Sequence, residues 1–227
     1  DPDIDIPCAL EPRTIWGYVN GMDTFPNGDI VASFRHLNRL LIIDRRTKIV
    51  KWRWGDWELG HQHNPTVLEN GNILVFDNGF HRLSRGSHNC ESYSRVLEVN
   101  SKTGRIEWEY TDPTKFRFFS ALCSSAKRLP NGNTLICESL KGRIFEVTPD
   151  KEIVWDFINP FYEFHDVLGW TNHIFHAYRY GYDFLGFNGR ALDNSHFEYT
   201  VQEKGKYRQA VSPKKRAADR RLKLLGY

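Results

Sequence analysis

Three times in 227 residues the chain sets Asn-Gly between two alternating apolar runs: FPNGDIVASF (Phe25 to Phe34), LENGNILVFD (Leu68 to Asp77) and LPNGNTLICE (Leu129 to Glu138). Asn-Gly in that setting is the strongest short-range signal for a tight β-hairpin. A second strand pair follows each hairpin. LLIIDRRTKIVKWRW, SRVLEVNSKTGRIEWEY and GRIFEVTPDKEIVWDF share an apolar strand, a polar turn and a strand that ends in Trp-x-aromatic. Those endings are Trp52 with Trp54, Trp108 with Tyr110, and Trp155 with Phe157. Four antiparallel strands recurring every ~40 to 60 residues, with a Gly turn and a Trp at fixed places, predict an all-β chain built from β-propeller blades. The alternative is a sandwich with accidental similarity, and agreement of three units in both hairpins argues against it.

Full blades are expected at residues 14–57, 58–112 and 116–160, with an incomplete one in FHDVLGWTNHIFHAYRY. The propeller region is read as 14–192, after an N-terminal extension at 1–13 and before a basic C-terminal tail at 193–227. Because each blade buries both faces against neighbours, propellers close with about four to eight blades. Three and a half do not close. The ring therefore calls for more chain, for a second copy or a partner subunit, or for completion by the irregular segment after Tyr180.

An aromatic share of 14% with seven Trp suits short strands with bulky cross-strand pairs. No apolar run approaches the ~20 residues that cross a bilayer, and DPDIDIPCAL has neither a basic nor an apolar leader region, so no membrane span is expected. The net charge of +3 hides an asymmetry. Residues 201–227 hold nine Lys/Arg against Glu203 and Asp219, a local +7 that leaves −4 on the rest. Such a tail is either solvated or docks on an acidic surface, and Ser212 and Pro213 would suit the start of a helix there. Cys8, Cys90, Cys123 and Cys137 leave the redox compartment open, although strand alternation argues against a Cys123–Cys137 bridge.

In a four-stranded blade the Asn-Gly turns mark one face of the disc, and the starts of the innermost strands lie on the other. His61 and His63, in GHQHNP, open such a strand, and on a strand residues two apart point the same way. The second blade also breaks the repeat. From turn Asn to Trp takes 25 residues in the first blade and 24 in the third, but 38 in the second. The excess lies in NGFHRLSRGSHNCESYSR, which carries Asn78, His81, Arg82, Arg85, His88, Cys90 and Arg95 over the same face as the paired histidines. A loop so rich in His and Arg on a rigid scaffold reads as a site, and a solvated loop is the alternative. Two chemistries fit: Arg and His around an anionic tetrahedral group, with an imidazole as nucleophile or acid-base, or a metal on His61, His63 and His81 or His88. The arginines repel a cation and favour the anion.

The stretches HQHNPTVLENGNILVFDNGFHR, YSRVLEVNSKTGRIEWEY, SSAKRLPNGNTLICESLKGRIFEVTPDKEIVWDFINP and FHAYRYGYDFLGFNGRAL resemble the arylsulfotransferase family up to about Leu192. The resemblance implies a six-bladed propeller, commonly exported and therefore extracytoplasmic or secreted. It also implies sulfuryl transfer from an aryl sulfate to a phenol through a sulfated histidine, with no nucleotide donor or other cofactor. By motif position His63, Asn78, Arg82 and Arg95 look like family site residues, with His61 beside them.

An enzyme of this kind would use His63 or His61 as nucleophile, Arg82, Arg95 and Arg35 as sulfate clamps, and Asn20, Asn78 and His81 as substrate contacts. The chain departs from the family pattern at Tyr18, where a histidine is usual near Asn20, and in TDPTKFRFFSALCSSAKRLP, which has no histidine. The N-terminal half of the family's propeller is also expected to be missing. These departures and the basic tail motivate the other reading, a non-catalytic propeller acting as a structural or accessory subunit.

Overall fold

The computed structural model describes residues 14–83, 90–181, 184–190, 202–203 and 206–207. The expected extension at 1–13, nearly all of the basic tail, and Arg85 and His88 of the second-blade excursion lie outside the described residues. Two compact units divide the chain, 1–179 and 180–227.

In the first unit β1 (Val19–Thr24), β2 (Ile30–Phe34), β3 (Arg39–Ile43) and β4 (Val50–Trp54) pair in sequence order as an antiparallel sheet. The second sheet begins with β5 (His63–Val67) and β6 (Ile73–Asp77). The chain then leaves through a small hairpin, β7 (Arg82–Leu83) against β8 (Cys90–Glu91), and returns as β9 (Arg95–Val99) and β10 (Ile106–Tyr110). A third sheet joins β11 (Ser125–Arg128), β12 (Thr134–Glu138), β13 (Arg143–Val147) and β14 (Ile153–Ile158). A hairpin of β15 (Glu163–His165) and β16 (Gly169–Thr171) follows. The second unit holds a 3-10 turn at Leu185–Phe187 and a short pair, β17 (Gln202–Glu203) with β18 (Lys206–Tyr207). The three four-stranded sheets fall inside the three expected blades. None of the described residues forms a helix long and apolar enough to cross a membrane.

The Asn-Gly turns form for a reason the dipeptide alone does not reveal. Only the glycines, Gly28, Gly71 and Gly132, take positive φ. The N–H of each bonds the carbonyl three residues back, at Phe25, Leu68 and Leu129, while those residues' N–H groups bond Asp29, Asn72 and Asn133. This is a type I turn closed by a left-handed glycine, the three-residue hairpin loop, and Pro26 and Pro130 preset its first corner. Each Asn serves through its side chain: Oδ1 of Asn27, Asn70 and Asn131 accepts the N–H two residues on, at 3.0, 3.0 and 3.1 Å.

Burial on both faces makes the second sheet the centre of the stack. Ile73 and Val75 of β6, with Leu97 and Val99 of β9, pack against Val31, Leu40 and Ile42 of the first sheet. Leu74, Phe76 and Val96 point the other way, onto Phe118, Ile136, Phe145 and Val147. The period-2 alternation of a strand thus feeds two cores. β5 lies against both β1 and β11, so the first strand of every sheet faces a common interior.

The sheets are also tied by charge. Arg128, ending β11, donates to Glu98 of the second sheet at 2.7 Å and lies 5.0 Å from the Trp108 ring. Arg179 repeats the device one step on, paired with Glu146 and 5.1 Å from Trp155. HAYR (His176 to Arg179) therefore sits on the third sheet as SAKR (Ser125 to Arg128) sits on the second, with Ala177 and Ile174 packed on Leu129, Leu135 and Cys137.

Candidate functional site

β5 opens at His63, which pairs with Phe76 near the far end of β6, while the Asn70-Gly71 turn closes the opposite end of that hairpin. Asn78 directly follows β6, Asp77 is in register with Arg95 at the start of β9, and Arg82 begins β7. The structure therefore brings His63, Asn78, Arg82 and Arg95 to one rim of the second sheet. Arg35, in the 3-10 turn after β2, and Asn20 of β1 approach it from the first sheet.

At the centre His63 Nδ1 is 2.7 Å from Asn78 Oδ1. Asn78 is fully buried, and both hydrogens of its Nδ2 are spent on carbonyl oxygens, Ser120 at 2.7 Å and Cys123 at 2.9 Å. Turning the amide over would set its oxygen against two carbonyls, so Oδ1 must face the imidazole and Nδ1 must carry the proton. The lone pair of a neutral His63 is then on Nε2. Burial is the main reason that His63 stays neutral, its pKa pushed down to about 4. The Asn78 acceptor and the His61 carbonyl oppose that shift, and the Arg35 charge adds to it.

His61 behaves differently from the expectation. It lies before the strand with φ 57°, its N–H held by Asn38 Oδ1 at 2.8 Å, so strand alternation does not govern its direction. Its buried ring packs 5.7 Å from Phe80 and 5.7 Å from His81. Burial, followed by the charges of Arg35, His81, His36 and His63, lowers its pKa to about 3. Between the two histidines Gln62 turns into the first sheet, where Nε2 bonds Ser33 Oγ at 3.0 Å and the Arg39 carbonyl at 3.0 Å. The carbonyl of Gln62 accepts from Asn20 Nδ2 at 2.8 Å. Arg35 is 5.9 Å from the Tyr18 ring, which stacks on His36 at 5.0 Å.

Arg82 and Arg95 are directed onto a partner that the sequence did not single out. Asp77, fully buried, accepts from Arg82 Nη2 at 2.9 Å, and from Arg95 Nε at 3.0 Å and Nη2 at 2.9 Å. Arg82 Nη2 also bonds the Tyr93 carbonyl at 2.7 Å. Gly79 makes this closure feasible, since a Cβ there would fall 1.8 Å from the Tyr93 oxygen. Arg95 belongs to a repeat: Arg39, Arg95 and Arg143 each open the third strand of a sheet, and each pairs with a carboxylate, respectively Asp56, Asp77 and Asp156. Among the described residues no group of three His, Cys, Asp or Glu is arranged to hold a metal ion.

A family model described as arylsulfotransferase (ASST) matches residues 11–160. The chain belongs to the arylsulfotransferase family. No curated protein matches it significantly. Among solved structures, a catalytically inactive virginiamycin B lyase from Staphylococcus aureus with quinupristin shares 16% identity over 66% of this chain and 44% of its own, at a TM-score of 0.45. A protein of unknown function from Bacteroides caccae shares 16% identity over 86% of this chain and 61% of its own, at 0.45. Hydrazine synthase from Kuenenia stuttgartiensis shares 14% over 67% and 39%, at 0.48. The arylsulfotransferase-family chain thus spans only 39% to 61% of the lengths of these structures.

Left-handed backbone gathers at the openings of this family member's inner strands. Tyr18, His61, Asn64, Cys123 and Ser124 all have positive φ without being glycine. Such residues cost on the order of 1 to 3 kcal/mol each and cluster where a site fixes its geometry. At the third opening stands Cys123, a free thiol in a stretch that has no histidine. Burial raises its pKa, while a Ser139 hydrogen bond and the Arg35 charge oppose the rise.

Proposed function

We propose that this chain carries the reacting rim of an arylsulfotransferase propeller, in which Nε2 of His63 takes a sulfuryl group from an aryl sulfate and passes it to a phenol. The observation that carries this reading is the His63–Asn78 contact at 2.7 Å, because Asn78, pinned by two carbonyls, sets the Nδ1–H tautomer and so leaves the lone pair of the buried, neutral imidazole on Nε2. In the first half-reaction Nε2 attacks sulfur, the N–S bond forms, the aryl S–O bond breaks, and the phenolate leaves with the electron pair. In the second, a phenol oxygen attacks sulfur and restores the imidazole lone pair. A phenolate must gain a proton in the first step and a phenol must lose one in the second. His61, held near a pKa of 3, is too weak a base for this at neutral pH, and His81, with its ring 5.7 Å away, is a second imidazole within the same rim.

The transition state spreads charge over three sulfuryl oxygens, and fixed cations stabilise it. Arg35 has that task, since its charge reaches His61, His63 and Cys123. Arg82 and Arg95 act one step back, by holding Asp77 and with it the end of β6. Asn20 fixes the Gln62 backbone between the two histidines. On the same reading the full ring has six blades, the propeller region runs to residue 192, and the protein works in an extracytoplasmic compartment.

Incubation with a chromogenic aryl sulfate and a phenol, followed by peptide mass analysis, tests the assignment. Phenol release and a sulfated peptide containing His63 are expected, and both disappear in His63→Gln. Release that survives His63→Gln overturns it. A second reading, the non-catalytic accessory propeller, is favoured by Tyr18 and Cys123 at the openings where further histidines would sit. It predicts neither label nor release in the wild type.

A further inference from the structure

We propose that Ser120 is a positioning residue for His63, acting through the amide of Asn78; the proposal rests on the reading of His63 given above. Ser120 lies fully buried in the connection from β10 to β11. Its hydroxyl donates to the Leu122 carbonyl at 3.0 Å and accepts the N–H of Leu140 at 3.2 Å. Its backbone N–H donates to Ser94 Oγ at 3.0 Å, and Ser94 Oγ donates to the Asn78 carbonyl at 2.9 Å. Ser120 therefore fixes the segment whose carbonyls, at Ser120 and Cys123, hold both Nδ2 hydrogens of Asn78. The same pair of serines restrains the Asn78 backbone, so side chain and main chain are set from one point.

The consequence is chemical as well as mechanical. Without the hydroxyl, the Leu140 N–H and the Leu122 carbonyl lose a partner and the segment relaxes from 120 to 123. The Asn78 amide is then free to turn and offer Nδ2 to His63, whose Nδ1 becomes the acceptor. The proton moves to Nε2, and the lone pair that attacks sulfur is lost. Outer partners that orient a metal-bound histidine change activity by about 10- to 100-fold when removed, and a loss of that order is expected for a histidine oriented in the same way as a nucleophile.

The test reads the tautomer directly, by long-range 1H–15N correlation of the imidazole nitrogens in protein labelled at histidine, and reads turnover in parallel. In the wild type His63 is expected as the Nδ1–H form. Ser120→Ala is expected to shift it toward Nε2–H and to lower kcat by about 10- to 100-fold with KM little changed, and Ser120→Thr to restore both. A folded Ser120→Ala that keeps the Nδ1–H form overturns the proposal. Should that variant not fold, Ser120→Cys is measured in its place: its weaker hydrogen bonds are expected to give a partial shift toward Nε2–H and a smaller loss of kcat, and an unshifted Nδ1–H form with wild-type kcat overturns the proposal. A wild type showing Nε2–H would remove the basis of the sulfuryl-transfer reading itself. The expected tautomer shift without any transfer activity would remove that reading and leave the positioning role standing.

Discussion

The carboxylate of Asp77 accepts from five directions: the N–H groups of Gly60 and Gly79 at Oδ1, and Arg82 Nη2, Arg95 Nε and Arg95 Nη2 at Oδ2. One buried negative charge thus serves two buried guanidiniums, with Glu109 a more distant partner of Arg95 at 3.7 Å. Removing the carboxylate would strand both cations, and breaking a buried pair by deleting one partner costs about 3 to 5 kcal/mol. Asp77→Asn is therefore expected to lower the urea midpoint by that equivalent. Arg82→Met with Asp77 intact should cost less, because Arg95 still balances the charge. Equal losses in the two variants would show that Asp77 is not the hub. Nothing in the sequence pointed to this carboxylate. The arginines were legible as a basic cluster at one rim, but the register that sets Asp77 opposite Arg95 exists only once β6 and β9 pair.

At the scale of the element, the hairpins and their places in the blade could be read from the repeat, while the reasons for the repeat could not. Asn-Gly signalled the turns, yet the Asn acts through its side chain. In the second and third blades the Asn-Gly-Asn amides also reach out of the turn: Asn70 and Asn72 donate to Glu98 at 3.0 and 2.8 Å, and Asn131 and Asn133 donate to Glu146. Each Glu then accepts an arginine from the segment that follows, Arg128 at the end of β11 or Arg179 of HAYR. The first blade has Ile42 at the matching position and uses apolar packing instead. HAYR shares with SAKR only its Ala and its Arg, and a match of two residues in four specifies no contact for Arg179. Glu98 is nearly buried and holds three donors from two sheets, so Glu98→Ala is expected to cost roughly 3 kcal/mol. Chemical denaturation measures the loss. A double-mutant cycle with Arg128→Met should return a coupling of at least ~1 kcal/mol, and additivity would show that the tie between the sheets is decorative.

For the whole molecule, gathering imidazoles at a buried mouth has a thermodynamic consequence. His63 and His61 have folded-state pKa values of about 4 and about 3, both set first by burial, and burial also lowers that of His176. Their unfolded values are about 6.5. Below that pH the unfolded chain binds protons that the folded chain refuses, so stability is complete above about 6.5 and falls as pH drops toward the folded values. Glu146, with its pKa lowered, adds to the loss in acid. Glu138 has the opposite sign: burial raises its pKa, and the stability it contributes in acid is lost as pH rises from the ordinary carboxylate value through the raised one. Glu138 is one group against the two deeply buried imidazoles of His61 and His63, so it offsets part of their loss and the imidazoles set the sign between pH 6.5 and 5. Each proton taken up on unfolding changes stability by about 1.4 kcal/mol per pH unit. The urea midpoint is therefore expected to fall steadily from pH 7 to pH 5, and His63→Gln should flatten the slope by roughly one proton. A midpoint constant across that interval would mean that the mouth admits solvent and its imidazoles titrate normally. A buried neutral nucleophile at His63 would then be untenable.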